Sequence, residues 1–190
     1  MLDYTPTLAD AVISEINAGL TEHFTWLDRA FGRAERIIKK IDGFTYKLPA
    51  YFIGDSVHPN DYIELSPDSN IGNFSFFWMM DPERYTWRPK IRGSFRSPFA
   101  LIMWFDLRKV YNSTWERDLS SIEAEILNVL NGGFQIKSGR IEIDTVYRLP
   151  ENIYKEFTLD AVDNQFLMHP YAGFRFEGEL IFEEPCLAIS

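Results

Sequence analysis

The chain has 190 residues, of which 46% are hydrophobic and 16% aromatic, so it is long enough to bury one sizeable core. Its net charge of −9 argues against general affinity for nucleic acid or for an anionic membrane surface. A single cysteine, Cys186, excludes an intrachain disulfide framework and a cysteine-based zinc cluster.

The N-terminal part of the chain predicts a helix followed by a β-hairpin. Thr7 is a suitable N-cap, and apolar residues then recur every four positions on one face, at Leu8, Val12, Ile16 and Leu20. Asp42-Gly43 lies between two β-prone runs, which is a strong hairpin signal. Pro49 has no backbone donor, so we expect the second strand to lie at a sheet edge or to end early.

The middle of the chain predicts a core unit of strand, loop and helix. Residues 73–80 predict a strand, and the unbroken apolar run over residues 99–105 predicts a central strand covered on both faces. Ser113 and Glu116 have the spacing of a capping box, so we expect a helix over residues 114–131. Its apolar stripe consists of Leu119, Ile122, Ile126, Val129 and Leu130.

Two segments near the C-terminus alternate between apolar and polar residues and predict half-buried strands. In residues 140–148 one face would carry Ile141, Ile143, Thr145 and Tyr147. In residues 174–182 a polar, solvated face would carry Arg175, Glu177 and Glu179. Together these elements predict one α+β domain over residues 1–190, with a mixed or mainly antiparallel sheet of about six strands flanked by two or three helices.

The segment over residues 83–96 differs in charge from the rest of the chain. It carries five basic residues and one acid, a net charge of +4 in a chain whose total is −9. Aromatic residues alternate with these bases, and arginine, tryptophan and tyrosine are enriched among the residues that contribute most to interfaces. We therefore expect a protruding loop or hairpin whose interface contacts are Arg84, Tyr85, Trp87, Arg88, Lys90 and Arg92. The alternatives are a solvated loop with its aromatics beneath it and a single-stranded nucleic-acid site, which the acidic remainder of the chain disfavours.

Residues able to carry chemistry provide two further alternatives. Oxygen and imidazole ligands at a spacing that suits a divalent metal occur at Asp55, His58 and Asp61, which would make the protein a small metal-dependent hydrolase. A carbohydrate- or peptide-binding module would instead need an open groove lined by Trp87, Trp104 or Tyr111. Solvated strand faces are the simpler explanation of two carboxylate pairs, Glu142 with Asp144 and Glu177 with Glu179.

The order of the parts resembles a known class of proteins. An N-terminal helix is followed by the strands GRAERIIKKIDG and YKLPAYFIG, by Asn73-Phe74-Ser75-Phe76-Phe77, by the central strand and helix, and by a closing segment over residues 170–178. In this layout the chain is similar to tail-completion or tail-terminator proteins of phages and prophages. The resemblance implies a structural, non-enzymatic α+β protein without a cofactor. It also implies ring-like homo-oligomers that contact other phage tail or head–tail proteins.

The expected location follows from this resemblance and from what the sequence lacks. No stretch approaches the roughly 20 apolar residues of a spanning helix. The N-terminus has no apolar core of signal-peptide length. We therefore expect the protein in the bacterial cytoplasm during assembly, or in the virion, without secretion by a signal peptide and without a membrane partner.

Overall fold

The computed structural model describes residues 8–54, 61–68, 70–88, 91–113, 115–160 and 162–183. The predicted α+β class is confirmed. The helices are α1 (Leu8–His23), α2 (Leu107–Tyr111), α3 (Leu119–Asn128) and α4 (Pro150–Ile153). The strands are β1 (Arg29–Arg33), β2 (Glu35–Ile41), β3 (Phe44–Phe52), β4 (Tyr62–Glu64), β5 (Phe74–Met79), β6 (Arg84–Arg88), β7 (Ile91–Asp106), β8 (Arg140–Tyr147) and β9 (Tyr171–Glu183).

A mixed six-stranded sheet forms the frame of the molecule. Its strand order is β1-β5-β7-β9-β8, and β6 pairs with the N-terminal part of β7 on the same side as β5. β1 runs parallel to β5, and the other pairs are antiparallel. All side chains from residue 99 to residue 105 are apolar, and they are only 0–3% exposed. The predicted central strand, covered on both faces, is therefore confirmed.

Helices α1 and α3 cover one face of this sheet. Their buried apolar residues include Val12, Ile16 and Leu20 of α1 and Ile122 and Ile126 of α3. They pack with the β7 side chains that point to this face, Phe99, Leu101, Met103 and Phe105. The apolar faces predicted for both helices are thus confirmed, while the predicted N-cap at Thr7 lies outside the described residues.

A second layer covers the opposite face of the main sheet. It consists of the antiparallel sheet β2-β3-β4 and the segment that contains α4. Ile102 and Trp104 of β7 pack there with Leu65, Tyr154 and Phe157. Because Trp104 is only 3% exposed, it presents no ring face to a ligand in solvent, contrary to the open groove considered above.

Helix α3 begins later than the sequence predicts, and a different residue caps it. The Asp118 side chain accepts hydrogen bonds from the backbone N–H groups of Ser120 and Ser121 at 3.0 and 3.2 Å. The Ser113 hydroxyl accepts instead from the backbone N–H of Trp115 at 3.3 Å, so the predicted capping box is wrong. The Asp118 carboxylate also interacts favourably with the positive end of the helix dipole.

Strand β8 contains a bulge that changes which of its side chains face the helices. Its pairing with β9 shifts by one residue between Ile143 and Thr145. A bulge places two residues opposite one, so the side chains that face the core are at odd-numbered positions before it and at even-numbered positions after it. Ile141, Ile143 and Val146 therefore pack against the helix-covered core, and the prediction that Thr145 shares their face is wrong.

Pro49 lies in the middle strand of the small sheet, contrary to the predicted edge position. Its carbonyl accepts a hydrogen bond from the Leu65 N–H at 2.8 Å. The reciprocal bond, which would need a proline N–H, falls just beyond the end of β4. The Tyr154 hydroxyl donates to the Leu65 carbonyl at 3.5 Å instead. The proline is tolerated because its missing donor lies where the ladder has already ended.

Candidate interaction surfaces

Residues 83–96 are a hairpin built directly onto the central sheet. β6 pairs antiparallel with the first part of β7, and Tyr85 lies opposite Phe95. On the other side of β7, Phe182 of β9 also lies opposite Phe95. We call residues 84–96 the β6–β7 hairpin. Since it continues strands of the core, its backbone is fixed by two neighbouring strands at its base.

The structure describes three of the six predicted interface side chains in this hairpin, those of Arg84, Tyr85 and Trp87. Lys90 lies outside the described residues, as do the side chains of Arg88 and Arg92. Tyr85 is 49% exposed and Trp87 is 64% exposed. The hairpin therefore presents two large aromatic side chains at the surface.

One face of the β6–β7 hairpin carries a row of aromatic rings that runs from the core to the surface. Phe182 is only 5% exposed and belongs to the core under the helices. Phe95 stacks on it with ring centroids 5.4 Å apart, and Tyr85 contacts Phe95 with centroids 4.7 Å apart. These contacts hold the exposed Tyr85 in a defined position, which reduces the entropy lost when a partner binds.

The opposite face of the hairpin carries ion pairs within the same chain. Glu179 of β9 pairs with Arg84 and, at 2.7 Å, with Arg96. Arg96 also reaches Glu142 of β8 at 3.3 Å, and Arg140 pairs with Glu142 at 3.2 Å. The hydrogen bond from Arg96 lowers the pKa of Glu179 below its ordinary value. Part of the positive charge seen in the sequence is therefore compensated internally.

A second ionic cluster follows on the same face of β9, around Arg175. This residue is fully buried, and its guanidinium binds Glu156 through two hydrogen bonds of 2.6 and 2.7 Å. It also donates to Glu177 at 2.6 Å and to the Ile153 carbonyl at 3.2 Å. The prediction of a solvated polar face is thus wrong at Arg175, because the second layer covers it.

Basic partners bind three of the four acids in the two predicted carboxylate pairs, namely Glu142, Glu177 and Glu179, while Asp144 is exposed. Glu177 binds Lys155 at 2.6 Å as well as Arg175. Burial raises the pKa of Glu177, but the hydrogen bonds from Lys155 and Arg175 outweigh it and leave the pKa lowered. An acid held in its ionised form by bases is a poor proton donor. These acids therefore hold strands together and do not resemble an acid–base pair in a cleft.

The β2–β3 hairpin (residues 35–52) is a surface that sequence reasoning did not single out. Asp42 and Gly43 both have positive φ angles, 50° and 83°, which confirms the predicted tight turn. Three large apolar side chains are exposed near this turn: Ile38 at 64%, Ile41 at 46% and Phe44 at 68%. The same hairpin carries four basic residues, Arg36, Lys39, Lys40 and Lys47, of which Lys39 pairs with Glu64. The consecutive Ile-Ile-Lys-Lys in β2 was the available signal, since a half-buried strand should alternate.

An acidic surface lies where the loop after α2 leads into α3. We define it by Trp115, Glu116, Asp118 and Glu125. Trp115 is 86% exposed, the largest value among the exposed large hydrophobic residues in the described part of the chain. Burial, followed by the negative charges of Asp118, Glu116 and Glu125, raises the pKa of the neighbouring Tyr111. The three carboxylates therefore act on one region of the surface, beside an exposed indole ring.

A groove with a volume of 450 Å³ lies between α1 and β1. Its lining includes Asp10, Asn17, Arg33, Glu35 and Tyr51. The Asn17 amide donates to the Phe31 carbonyl at 3.0 Å, beside the register shift in β1. This hydrogen bond satisfies a backbone group at the edge of the main sheet. The groove contains no histidine, cysteine, serine–base pair or other arrangement that predicts a reaction.

The proposed metal ligands are only partly described. Asp55 and His58 lie outside the described residues, and Asp61 is exposed. Within the described ranges, no group of three or more histidine, cysteine or acidic residues is placed to hold a metal ion. The metal-dependent hydrolase therefore stays an untested alternative.

Comparison with known proteins gives no assignment. No family model matches the chain, and no curated protein sequence matches it. Of the helices that the structure describes, none is long and apolar enough to cross a membrane. The surfaces themselves are therefore the basis for a functional proposal.

Proposed function

We propose that this protein is a non-enzymatic structural protein that assembles with copies of itself, as a terminator or completion protein of a phage or prophage tail. The observation that carries the self-assembly is the β6–β7 hairpin, with Trp87 64% exposed beside a row of rings anchored in the core. The order of elements, which resembles tail-completion and tail-terminator proteins, supports the tail context.

The β6–β7 hairpin presents residue types that contribute most to interfaces. Tryptophan, tyrosine and arginine are enriched among hot-spot residues. The aromatic rings bury much area with few rotatable bonds, and the planar guanidinium of arginine donates several hydrogen bonds. Tyr85, which contacts Phe95, and the Arg84–Glu179 pair are already ordered, so binding would lose little further entropy. An assembly protein requires such fixed surfaces, whereas it requires no cleft with reactive groups.

The test compares Trp87→Ala with a matched control, Met168→Ala. Both side chains are exposed to nearly the same extent, 64% and 63%, but Met168 lies outside the hairpin. Light scattering coupled to size-exclusion chromatography over a range of concentrations should show self-association of the unaltered protein. We expect Trp87→Ala to weaken association at least about tenfold, as at an interface hot spot, and Met168→Ala to leave it unchanged.

Two outcomes would contradict the proposal. Self-assembly and tail completion would both be ruled out if the unaltered protein stays monomeric at all concentrations and does not associate with purified tail tubes. If Trp87→Ala and Met168→Ala self-associate equally strongly, the β6–β7 hairpin is not the contact. Electron microscopy of the oligomer would separate a closed ring from an open filament and so test the terminator role.

A further inference from the structure

The β2–β3 hairpin and helix α3, which carries part of the acidic surface, adjoin opposite edges of the main sheet. The chain passes from the edge strand β1 into β2 through Ala34 alone, whose N–H donates to the Phe77 carbonyl at 2.7 Å. Helix α3 lies beside the other edge, because its Glu123 pairs at 2.6 Å with Arg148, which follows β8. Within one molecule the two surfaces therefore point to different neighbours.

The two surfaces are complementary in charge. The β2–β3 hairpin carries four bases and two acids over residues 35–47, and one of the bases, Lys39, pairs with Glu64 within the chain. Residues 115–125 carry four acids and one base, and one of the acids, Glu123, pairs with Arg148. Hydrogen bonds from Ser121 lower the pKa of Asp118, so this carboxylate is charged at neutral pH. Opposite charges on two surfaces of one chain favour contact between copies and disfavour contact between like surfaces.

The two surfaces also match in the position of their apolar groups. Alternation along β2 places Arg36, Ile38 and Lys40 on one face. Lys47 lies directly opposite Ile38 across the hairpin. An exposed isoleucine is thus surrounded by bases, and an exposed tryptophan, Trp115, is accompanied by acids. Such a pair buries apolar area at the centre of a contact and places charges at its rim.

We propose that the β2–β3 hairpin of one copy docks on the acidic surface of a second copy, with Ile38 against Trp115 and the bases against the carboxylates. This inference rests on the proposed self-association and supplies a second pair of surfaces for it. Because the two surfaces differ, the contact is head-to-tail. Repetition of such a contact either closes a ring or extends a filament.

Reversing the charges on each surface in turn tests for a head-to-tail contact, because only such a contact should be restored when the two variants are mixed. One variant carries Arg36→Glu and Lys40→Glu, and the other carries Glu116→Lys and Glu125→Lys. Each variant by itself places like charges on both surfaces, so we expect association to weaken at least about tenfold. An equimolar mixture restores opposite charges at every contact when the two variants alternate. We therefore expect the mixture to assemble, and light scattering measures it.

Controls separate this contact from general electrostatic effects. Glu22→Lys with Asp160→Lys changes the net charge as Glu116→Lys with Glu125→Lys does, but at exposed acids outside the acidic surface. This control should associate as the unaltered protein does. Trp115→Ala should weaken association without changing net charge. Circular dichroism checks that each variant is folded, and raising the salt from about 0.1 to 1 M should weaken the contact by screening.

The outcomes also distinguish this inference from the proposed function. If the unaltered protein assembles and both charge-reversed variants assemble equally well alone, the docking of the β2–β3 hairpin is overturned while self-assembly stands. The same conclusion follows if each variant is weakened but the mixture does not recover. If the unaltered protein is monomeric under all conditions, self-assembly and this docking are both overturned.

Discussion

Arg175 keeps its positive charge inside the molecule because five contacts replace the water it has lost. Its guanidinium donates twice to Glu156, once to Glu177 and once to the Ile153 carbonyl, and it lies 3.7 Å from the Met80 sulfur. These partners come from β9, the α4 segment and the end of β5. One side chain thus fastens the second layer to the main sheet.

Removing one partner of this buried charge should destabilise the protein strongly. In Glu156→Ala the guanidinium loses two charged hydrogen bonds and remains buried, which typically costs about 3 kcal/mol. Glu151→Ala in the same segment is the matched control, since Glu151 is exposed and should cost less than about 0.5 kcal/mol. Urea denaturation followed by circular dichroism measures both free energies of unfolding, and equal values would contradict the role of Arg175.

Single residues show which structural features the sequence pattern predicts and which it does not. The alternation in residues 174–182 correctly places the phenylalanines on one face of β9 and Arg175 on the other. The pattern does not reveal that a second layer covers the polar face, because that layer comes from distant parts of the chain. The prediction that Pro49 lies at a sheet edge is wrong for the same reason, because its neighbour in space, Leu65, is distant in the sequence.

At the scale of elements, the contact between β8 and β9 depends on a close approach of two backbones. A Cβ atom on Gly178 would lie 1.8 Å from the Glu142 carbonyl oxygen, a distance that no side-chain movement can relieve. Gly178 lies opposite Ile143, immediately before the bulge in β8. Glycine is thus required here for space, because the bulge brings the two strands together.

Adding one methyl group at this point should therefore disrupt the pairing of β8. Gly178→Ala is expected to lower the free energy of unfolding by about 3 kcal/mol or more, since a clash with backbone forces a shift of the strand. Gly132→Ala is the control, because a Cβ atom there would have no neighbour within 4 Å. Thermal denaturation compares the two. Similar melting temperatures would show that β8 can move aside.

Elements defined by local pattern were predicted well, and those defined by pairing were not. The period of α1, the apolar run of β7 and the Asp42-Gly43 turn each follow from a few adjacent residues. The register of β8, the start of α3 and the β2–β3 hairpin as a surface depend on which segments meet in space. The same holds for the candidate site. Tyr85 and Trp87 are exposed, as expected, but the sequence does not predict that Glu179 pairs with Arg84 and Arg96.

At the scale of the whole molecule, ion pairs within the chain compensate part of the positive charge of residues 83–96. Arg84 and Arg96 meet Glu179, and Arg175 meets Glu156 and Glu177, along one face of β9. Exposed apolar side chains remain at the periphery, on the two hairpins and at Trp115. Around Arg175, ion pairs add to the apolar packing between the main sheet and the second layer.

The ion pairs along β9 make the stability of the whole molecule depend on pH. The hydrogen bond from Arg96 lowers the pKa of Glu179, and hydrogen bonds from Lys155 and Arg175 outweigh burial to lower the pKa of Glu177. A carboxyl whose pKa is lower in the folded than in the unfolded state stabilises the protein above its unfolded pKa, near 4.5 for glutamate. That contribution is lost as the pH falls through the lower, folded pKa.

Acidification should therefore lower the melting temperature, and it should do so mainly below about pH 4.5, where these glutamates become protonated first in the unfolded state. Between about pH 6 and 8 the same carboxylates are ionised in both states, so they contribute no slope there. Glu179→Gln removes one of these carboxyl groups, so the melting temperature of this variant should fall less steeply on acidification. The melting temperature of Glu22→Gln, on the exposed face of α1, should change with pH as that of the unaltered protein does. Melting curves by circular dichroism at half-unit pH steps measure this. A melting temperature that rises on acidification, or equal slopes for the two variants, would mean that the ion pairs along β9 do not stabilise the fold.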